Sequence, residues 1–278
     1  MLLCKTLIPG IAVALGFAVG LDGFAGISLL ALFAAVDNTN SGLWIAYTSK
    51  YGDKRDRGAV VGSALNDGPF TTLLFLGASG LGNIPFLALL AAILPLLLGM
   101  VVGHFDERWR EILRPTPNIV IPFFAFALGT SIDFFEIVTG GLSGILLGLI
   151  VAPVTGYFCY LGYKIILRRG AYSGIGFAAG TTAGNAIGTP AVVAAADPQF
   201  AQYVGTATAQ VAASVLVSAV LARVLASFLK RSGALAEIKE REAVEQAREL
   251  EAERLRAASE LDGDLDKDLD GDARETRS

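Results

Sequence analysis

The chain has 278 residues, 53% hydrophobic and only 17% charged, with a formal net charge of −4. A soluble domain carries about 45–50% apolar and about 25% charged residues, so this composition excludes an ordinary soluble enzyme of the same length. Two cysteines and one histidine exclude a disulfide framework or a Cys-based metal site and leave little for imidazole catalysis.

The charge is unevenly spread. Residues 1–232 carry 14 Lys+Arg against 11 Asp+Glu, while residues 233–278 carry 8 against 15. The net acidity therefore belongs to a solvated tail and says nothing about a partner. Ahead of that tail, eight apolar runs are each long enough to cross a bilayer, which takes about 20 predominantly apolar residues. They lie near 1–20, 24–50, 56–80, 82–104, 117–136, 140–167, 171–195 and 199–229.

The first run lacks a cleavage site and is followed directly by more membrane sequence, so it reads as a span and not as a signal peptide. The second is AGISLLALFAAV, then the polar stretch Asp37 to Gly42, then LWIAYTS, with Trp44 expected at the interface. The third carries Asn66 and Asp67 just before a Gly68-Pro69 kink. The fourth ends at His104, read as interfacial, with Trp109 beyond it as a second anchor; Asp133 and Glu136 fall near the outer end of the fifth. In the sixth, Gly140, Gly141, Gly144 and Gly148 give small faces for close helix packing. The seventh is SGIGFAAG, then a break from Thr181 to Pro190, then AVVAAA. The eighth contains Thr206, Thr208 and Gln210.

Residues 234–260 are rich in helix formers, too sparse in apolar positions for a coiled coil, and residues beyond 260 read as disordered. Asp266, Asp268, Asp270 and Gly271 resemble the start of a calcium loop, but Arg277 stands where the closing glutamate is required.

The connections alternate in charge. Lys50, Lys54, Arg55 and Arg57 follow the second span, and Arg108, Arg110 and Arg114 follow the fourth. Lys164, Arg168 and Arg169 follow the sixth, and Lys230 and Arg231 follow the eighth. The turns at 21–23, 81–83, 137–140 and 196–198 contain no Lys or Arg. The positive-inside rule places the basic connections and both termini in the cytoplasm, the protein being multi-pass in a bacterial inner membrane.

A break inside a span leaves backbone groups that hydrocarbon cannot satisfy, so it is tolerated only where protein or a polar cavity covers it. Paired breaks in matching places of two halves are the best sequence pointer to a transporter's binding site. Each break here precedes one further long helix, and the two broken spans run in opposite directions. The expected fold is all-α, with inverted repeats and two discontinuous crossed helices of the sodium/proton antiporter type, eight spans visible of an expected ten. The expected divisions are a first repeat at 1–80, apparently lacking two N-terminal helices, a second repeat at 81–231, and a charged cytoplasmic tail at 232–278.

Ile121 to Gly129 (IPFFAFALG), continuing to Ile132-Asp133, resembles the most recognisable stretch of the 2-keto-3-deoxygluconate permease family of bacterial transporters. Asp37 to Leu43, Asn66 to Phe70, and Ala183-Gly184 with Thr189-Pro190 are similar to its polar breaks, and the likeness covers roughly residues 1–232. The family normally begins with two further helices, and the acidic tail is outside its pattern. The resemblance implies proton-coupled import of 2-keto-3-deoxygluconate, a small sugar acid.

Asp37 and Asp67 are the candidate proton-coupling groups, since a carboxyl at membrane depth usually marks an ion or proton pathway. For Asp37 the structural alternative is an N-cap of the second half-helix, and for Asp67 it is closure of the carbonyls freed by Pro69. Asn38, Thr39, Asn40, Asn66, Thr181, Thr182, Asn185, Thr189 and Gln210 are the candidate substrate-binding groups, supplying donors and acceptors for hydroxyls beside a half-helix N-terminus suited to a carboxylate. Their alternative is self-satisfaction of the broken backbone. Nothing points to a cofactor, a metal, nucleic acid or a particular oligomer. Three other readings stay open: a sodium- or proton-coupled carrier of another organic anion, an inactive shortened homologue, and, least supported for want of a nucleophile and base at membrane depth, an intramembrane enzyme.

Overall fold

The computed structural model describes residues 2–116 and 134–231, together with positions 119, 122, 123, 126, 130, 240, 243, 244, 246–248 and 251. The chain divides into two compact units, Met1–Lys230 and Arg231–Ser278. In the second, the described residues are helical, as their composition predicts. The stretch expected to be disordered, and the calcium-loop likeness within it, lie outside the described residues.

The described residues of the first unit are helical, with a single isolated bridge between Phe24 and Ile27. Helix α1 (Leu2–Val19) leads through a tight turn to α2 (Leu29–Asp37). Glycine makes that turn possible: Gly23 sits at φ +79°, and a Cβ there would fall 1.9 Å from the carbonyl oxygen of Ile27. Ser28 caps α2 by accepting from the Ala31 amide at 3.2 Å. After an extended break at Asn38–Asn40, α3 (Ser41–Tyr51) continues the predicted second span.

The predicted third span is not one kinked helix. It is cut into α4 (Lys54–Gly58), α5 (Val60–Leu65) and α6 (Pro69–Ser79), with an interruption at Asn66–Gly68. Pro69 has no amide to donate and excludes its predecessor from helical geometry, and Gly68 adopts φ +149°. Next come α7 (Phe86–Phe105), α8 (Glu107–Leu113) and α9 (Phe134–Leu161), the last continuing through a π-helical segment, Gly162–Ile166. Most of the IPFFAFALG string and of the fifth predicted span lies outside the described residues.

The seventh predicted span begins as a 3₁₀ helix, Gly170–Gly180, far longer than the usual 3–4 residues. An extended break at Thr181–Ala183 follows, then a 3₁₀ turn, Gly184–Gly188, and α10 (Thr189–Ala196). A last 3₁₀ turn, Pro198–Tyr203, leads into α11 (Val204–Arg231).

Among the described residues, three helical stretches are long and apolar enough to cross a membrane: Phe86–Phe105, Gly141–Ile166 and Pro198–Leu221. The two broken spans fall short of that test because each is cut into halves, and Leu7–Val19 and Pro69–Ser79 are shorter apolar helices. Helix α7 buries none of its residues, with Phe86, Leu87, Leu94 and Leu98 among its exposed side chains. An all-round apolar, uncovered helix suits a lipid environment. By contrast every residue of α2 is buried. Its Leu30 and Phe33 share a core with Leu73 and Leu76 of α6, Leu147 of α9, Val193 of α10 and Val211 of α11. Two of the predicted small faces are used as expected. A Cβ on Gly144 would lie 2.8 Å from the Gln210 Cα, and one on Gly148 would lie 2.8 Å from the Val217 Cβ, both on α11.

The connections meet in two groups. Arg169 Nη2 bonds Asp53 Oδ2 and Asp56 Oδ2, each at 2.7 Å, joining the basic stretch after α3 to the one after α9. Among the turns without lysine or arginine, Asp197 Oδ2 accepts from the Asn83 amide at 2.6 Å, and Tyr203 Oη donates to Asp22 Oδ1 at 2.8 Å. Trp44 is not an interface anchor: it is fully buried, donates Nε1 to the Asp56 carbonyl at 3.0 Å and lies edge-on to Tyr163. Trp109 is half exposed.

Candidate functional site

A helix that stops leaves its last carbonyls without partners, and in a buried place each of them has to be satisfied. At the end of α2 three side chains share that work. Asn38 Nδ2 donates to the Ala34 carbonyl at 2.9 Å, and Thr182 Oγ1 donates to the Ala35 carbonyl at 3.3 Å. Lys5 Nζ, reaching across from α1, donates to the carbonyls of Val36 at 3.2 Å and Asn38 at 2.9 Å. Across the gap, Asn40 Oδ1 caps α3 by accepting from the Leu43 amide at 2.9 Å.

The carboxylate of Asp37 is buried in the middle of this arrangement. Its Oδ2 accepts from Thr72 Oγ1 of α6 at 2.6 Å and its Oδ1 accepts from Asn38 Nδ2 at 2.7 Å. Asn38 Oδ1 in turn accepts from the Gly68 amide at 2.9 Å, which ties the first break to the interruption before α6. Every polar atom of the Asn38 side chain is thus engaged by protein, Nδ2 by Ala34 and Asp37 and Oδ1 by Gly68. Asn40 is likewise occupied as a helix cap.

The second break lies against the first. The Thr182 amide donates to Ser218 Oγ at 3.1 Å, and its hydroxyl shares a 3.3 Å bond with Ser214 Oγ, both on α11. Thr181 bonds back to the Ala178 carbonyl at 3.0 Å. A polar chain completes the junction: Asn66 Nδ2 donates to Thr39 Oγ1 at 3.2 Å, and Asn185 Nδ2 donates to the Asp67 carbonyl at 3.2 Å. Asn66 Oδ1, Asn185 Oδ1 and Thr189 Oγ1 are buried there without a hydrogen-bond partner. Buried polar atoms left unpaired are costly, and Thr71 Oγ1 and Ser173 Oγ share that condition.

Gln210 does not belong to this junction. Its Oε1 accepts from the Ser28 amide and hydroxyl at 3.1 and 3.2 Å, and its Nε2 donates to the Gly26 carbonyl at 2.6 Å and to Ser143 Oγ at 3.0 Å. Those partners are at the opposite end of α2, so Gln210 fastens α11 to the start of that helix. Asp67 enters the junction through its backbone and is only partly buried.

Lys5 and Thr72 were not singled out from the sequence. Lys5 carried a usable signal, being the only Lys or Arg before residue 50 and lying inside an apolar run. A lone threonine in an apolar helix carries none.

The model of the family described as 2-keto-3-deoxygluconate permease matches residues 1–234. The chain is 41% identical over 228 residues to 2-keto-3-deoxygluconate permease 1 of Salmonella typhimurium, covering 81% of this chain and 71% of that protein. It is 43% identical over 209 residues to the 2-keto-3-deoxygluconate permease of Xanthomonas euvesicatoria, covering 75% of this chain and 65% of that one. The corresponding Escherichia coli protein is 38% identical over 229 residues, 82% of this chain and 68% of its own length. No solved structure matches the chain.

Proposed function

This chain belongs to the 2-keto-3-deoxygluconate permease family, a family of transporters and not of enzymes, and we propose that it imports 2-keto-3-deoxygluconate by proton symport across the bacterial cytoplasmic membrane. The observation that carries this reading is the junction of the two breaks, where the Asp37 carboxylate is buried and Asn66 and Asn185, each tied in by one hydrogen bond, keep a side-chain oxygen unpaired. A sugar acid brings hydroxyl donors that suit such acceptors. Its carboxylate suits a half-helix N-terminus, with Thr189 opening α10. Asp37 is the group that takes up the coupled proton, and Asp67 assists beside the kink. Thr39, Thr181 and Thr182 line the same junction.

The wider architecture goes with that role. Two of the basic connections meet through Arg169, and three of the turns lacking Lys and Arg meet through Asp197 and Tyr203, a grouping that fits cytoplasmic termini and an alternating set of spans. The two discontinuous helices, touching at Ala35 and Thr182, agree with an inverted-repeat, antiporter-like core in which the repeats meet at residues 1–80 and 81–231.

The test is uptake of labelled 2-keto-3-deoxygluconate by cells expressing the chain, with and without a protonophore, in sodium and in sodium-free medium. Uptake that collapses with the protonophore and ignores sodium is the expected result. Uptake that follows sodium instead would overturn proton coupling, and another organic anion taken up in its place would overturn the substrate.

A further inference from the structure

A buried lysine is rare unless something holds its charge. Lys5 is 2% exposed and meets the two carbonyls that flank Asp37, those of Val36 and Asn38. The same place collects the negative end of the α2 dipole and a buried carboxylate. Unwound carbonyls, a half-helix C-terminus and a carboxylate are together a hard oxygen set, the kind that binds an alkali cation at a broken membrane helix.

We propose that the Lys5 ammonium occupies a monovalent-cation position at the first break, so that the protein supplies from its own chain the cation these oxygens would otherwise draw from solution. The position is built for one positive charge. It is filled by a side chain anchored 31 residues away on α1, which reaches the break without entering the backbone of either half-helix. This deepens the proton-coupled reading above, because a position already filled leaves sodium no place at this break. Removing the ammonium while leaving the carbonyls and Asp37 in place opens the position to sodium or lithium.

Purified full-length protein is melted in sodium chloride and in choline chloride at equal ionic strength, for the unaltered chain and for Lys5→Arg, Lys5→Gln and Lys5→Ala. Gln is neutral yet can donate to one of the two carbonyls, which guards against loss of the fold. The unaltered chain and Lys5→Arg melt at the same temperature in both salts. Lys5→Gln and Lys5→Ala melt several degrees higher in sodium than in choline, with a rise that saturates. Should either variant be obtainable only when purified in sodium, that result supports the proposal as well. Stabilisation of the unaltered chain by sodium over choline overturns it. So does a folded Lys5→Gln or Lys5→Ala protein that does not distinguish sodium, lithium and choline. Melting needs neither substrate nor gradient, so this outcome stands apart from whether the chain moves a sugar acid.

Discussion

Asp37 is held by two side-chain donors and buried beside an interrupted helix, an arrangement that fixes the position of its carboxyl group. If Asp37 carries the coupled proton as proposed, Asp37→Asn keeps the shape and loses that proton, so accumulation against a gradient should fall to background while the protein still folds. Detergent extraction and the melting profile separate that outcome from simple unfolding. Gln210→Ala acts differently. It takes the Gln210 oxygen away from the buried amide and hydroxyl of Ser28, at a cost of about 1–3 kcal/mol. Its melting temperature should drop, with KM for substrate unchanged in the protein that remains; a raised KM with an unchanged melting temperature would return Gln210 to the binding site. The sequence displayed the polar residues of the site but not their partners. Asp37, Asn38 and Asn66 were recognisable because apolar runs seldom carry such groups. A glutamine on the last helix has no feature that says which end of α2 it faces, and a tryptophan near a helix end reads the same whether it meets lipid or, like Trp44, a protein core.

The helix breaks at Asn38–Asn40 and Thr181–Ala183 were legible because glycine, proline and short polar side chains interrupt apolar runs that would otherwise stay helical. What hydropathy could not convey is how far each interruption spreads. Asn66–Gly68 cuts a predicted single span into separate helices, since Gly68 at φ +149° lies outside any helical geometry and Pro69 starts afresh. The 3₁₀ character of Gly170–Gly180 was also hidden, because it follows from contact and not from propensity. Gly176 and Gly180 let this segment press against α9 so closely that a Cβ would lie 2.5 Å from the Tyr160 amide nitrogen and 2.3 Å from the Ala152 carbonyl oxygen. Gly180→Ala therefore has to push the segment away from α9, and it should lower both the yield of folded protein and uptake, whereas Gly10→Ala, where nothing lies within 4 Å, should change neither. The ion cluster between connections is an element-scale fastening too. Arg169→Ala strands the buried Asp56 carboxylate, a change that costs about 3–5 kcal/mol for buried pairs, so its melting temperature should fall.

At the scale of the whole molecule, two groups of connections are each tied together, and the proposed topology makes them two faces, each with its own response to conditions. On the face built from the turns, burial works to raise the Asp197 carboxyl, but the amides of Asn83 and Gln199 and the Gln199 side chain outweigh it and hold the group below the usual carboxylate range. A depressed folded-state value means its contribution is complete above the unfolded carboxylate range and disappears as pH falls through the lower folded value. The melting temperature of the native chain should therefore drop more steeply on acidification than that of Asp197→Asn, and parallel curves would remove Asp197 from the balance. Which face looks outward is a separate matter, and chemistry can read it. Asn83 is exposed on the turn side and Arg55 on the basic side. With Cys4 and Cys159 replaced by serine and alanine, Asn83→Cys in intact cells should react with a membrane-impermeant maleimide, and Arg55→Cys should react only after the cells are opened. The reverse pattern would invert the orientation while leaving the two faces intact. Equal labelling of both in intact cells would mean that the basic and uncharged connections are not separated by a bilayer at all, and the alternating-span topology would fall with it.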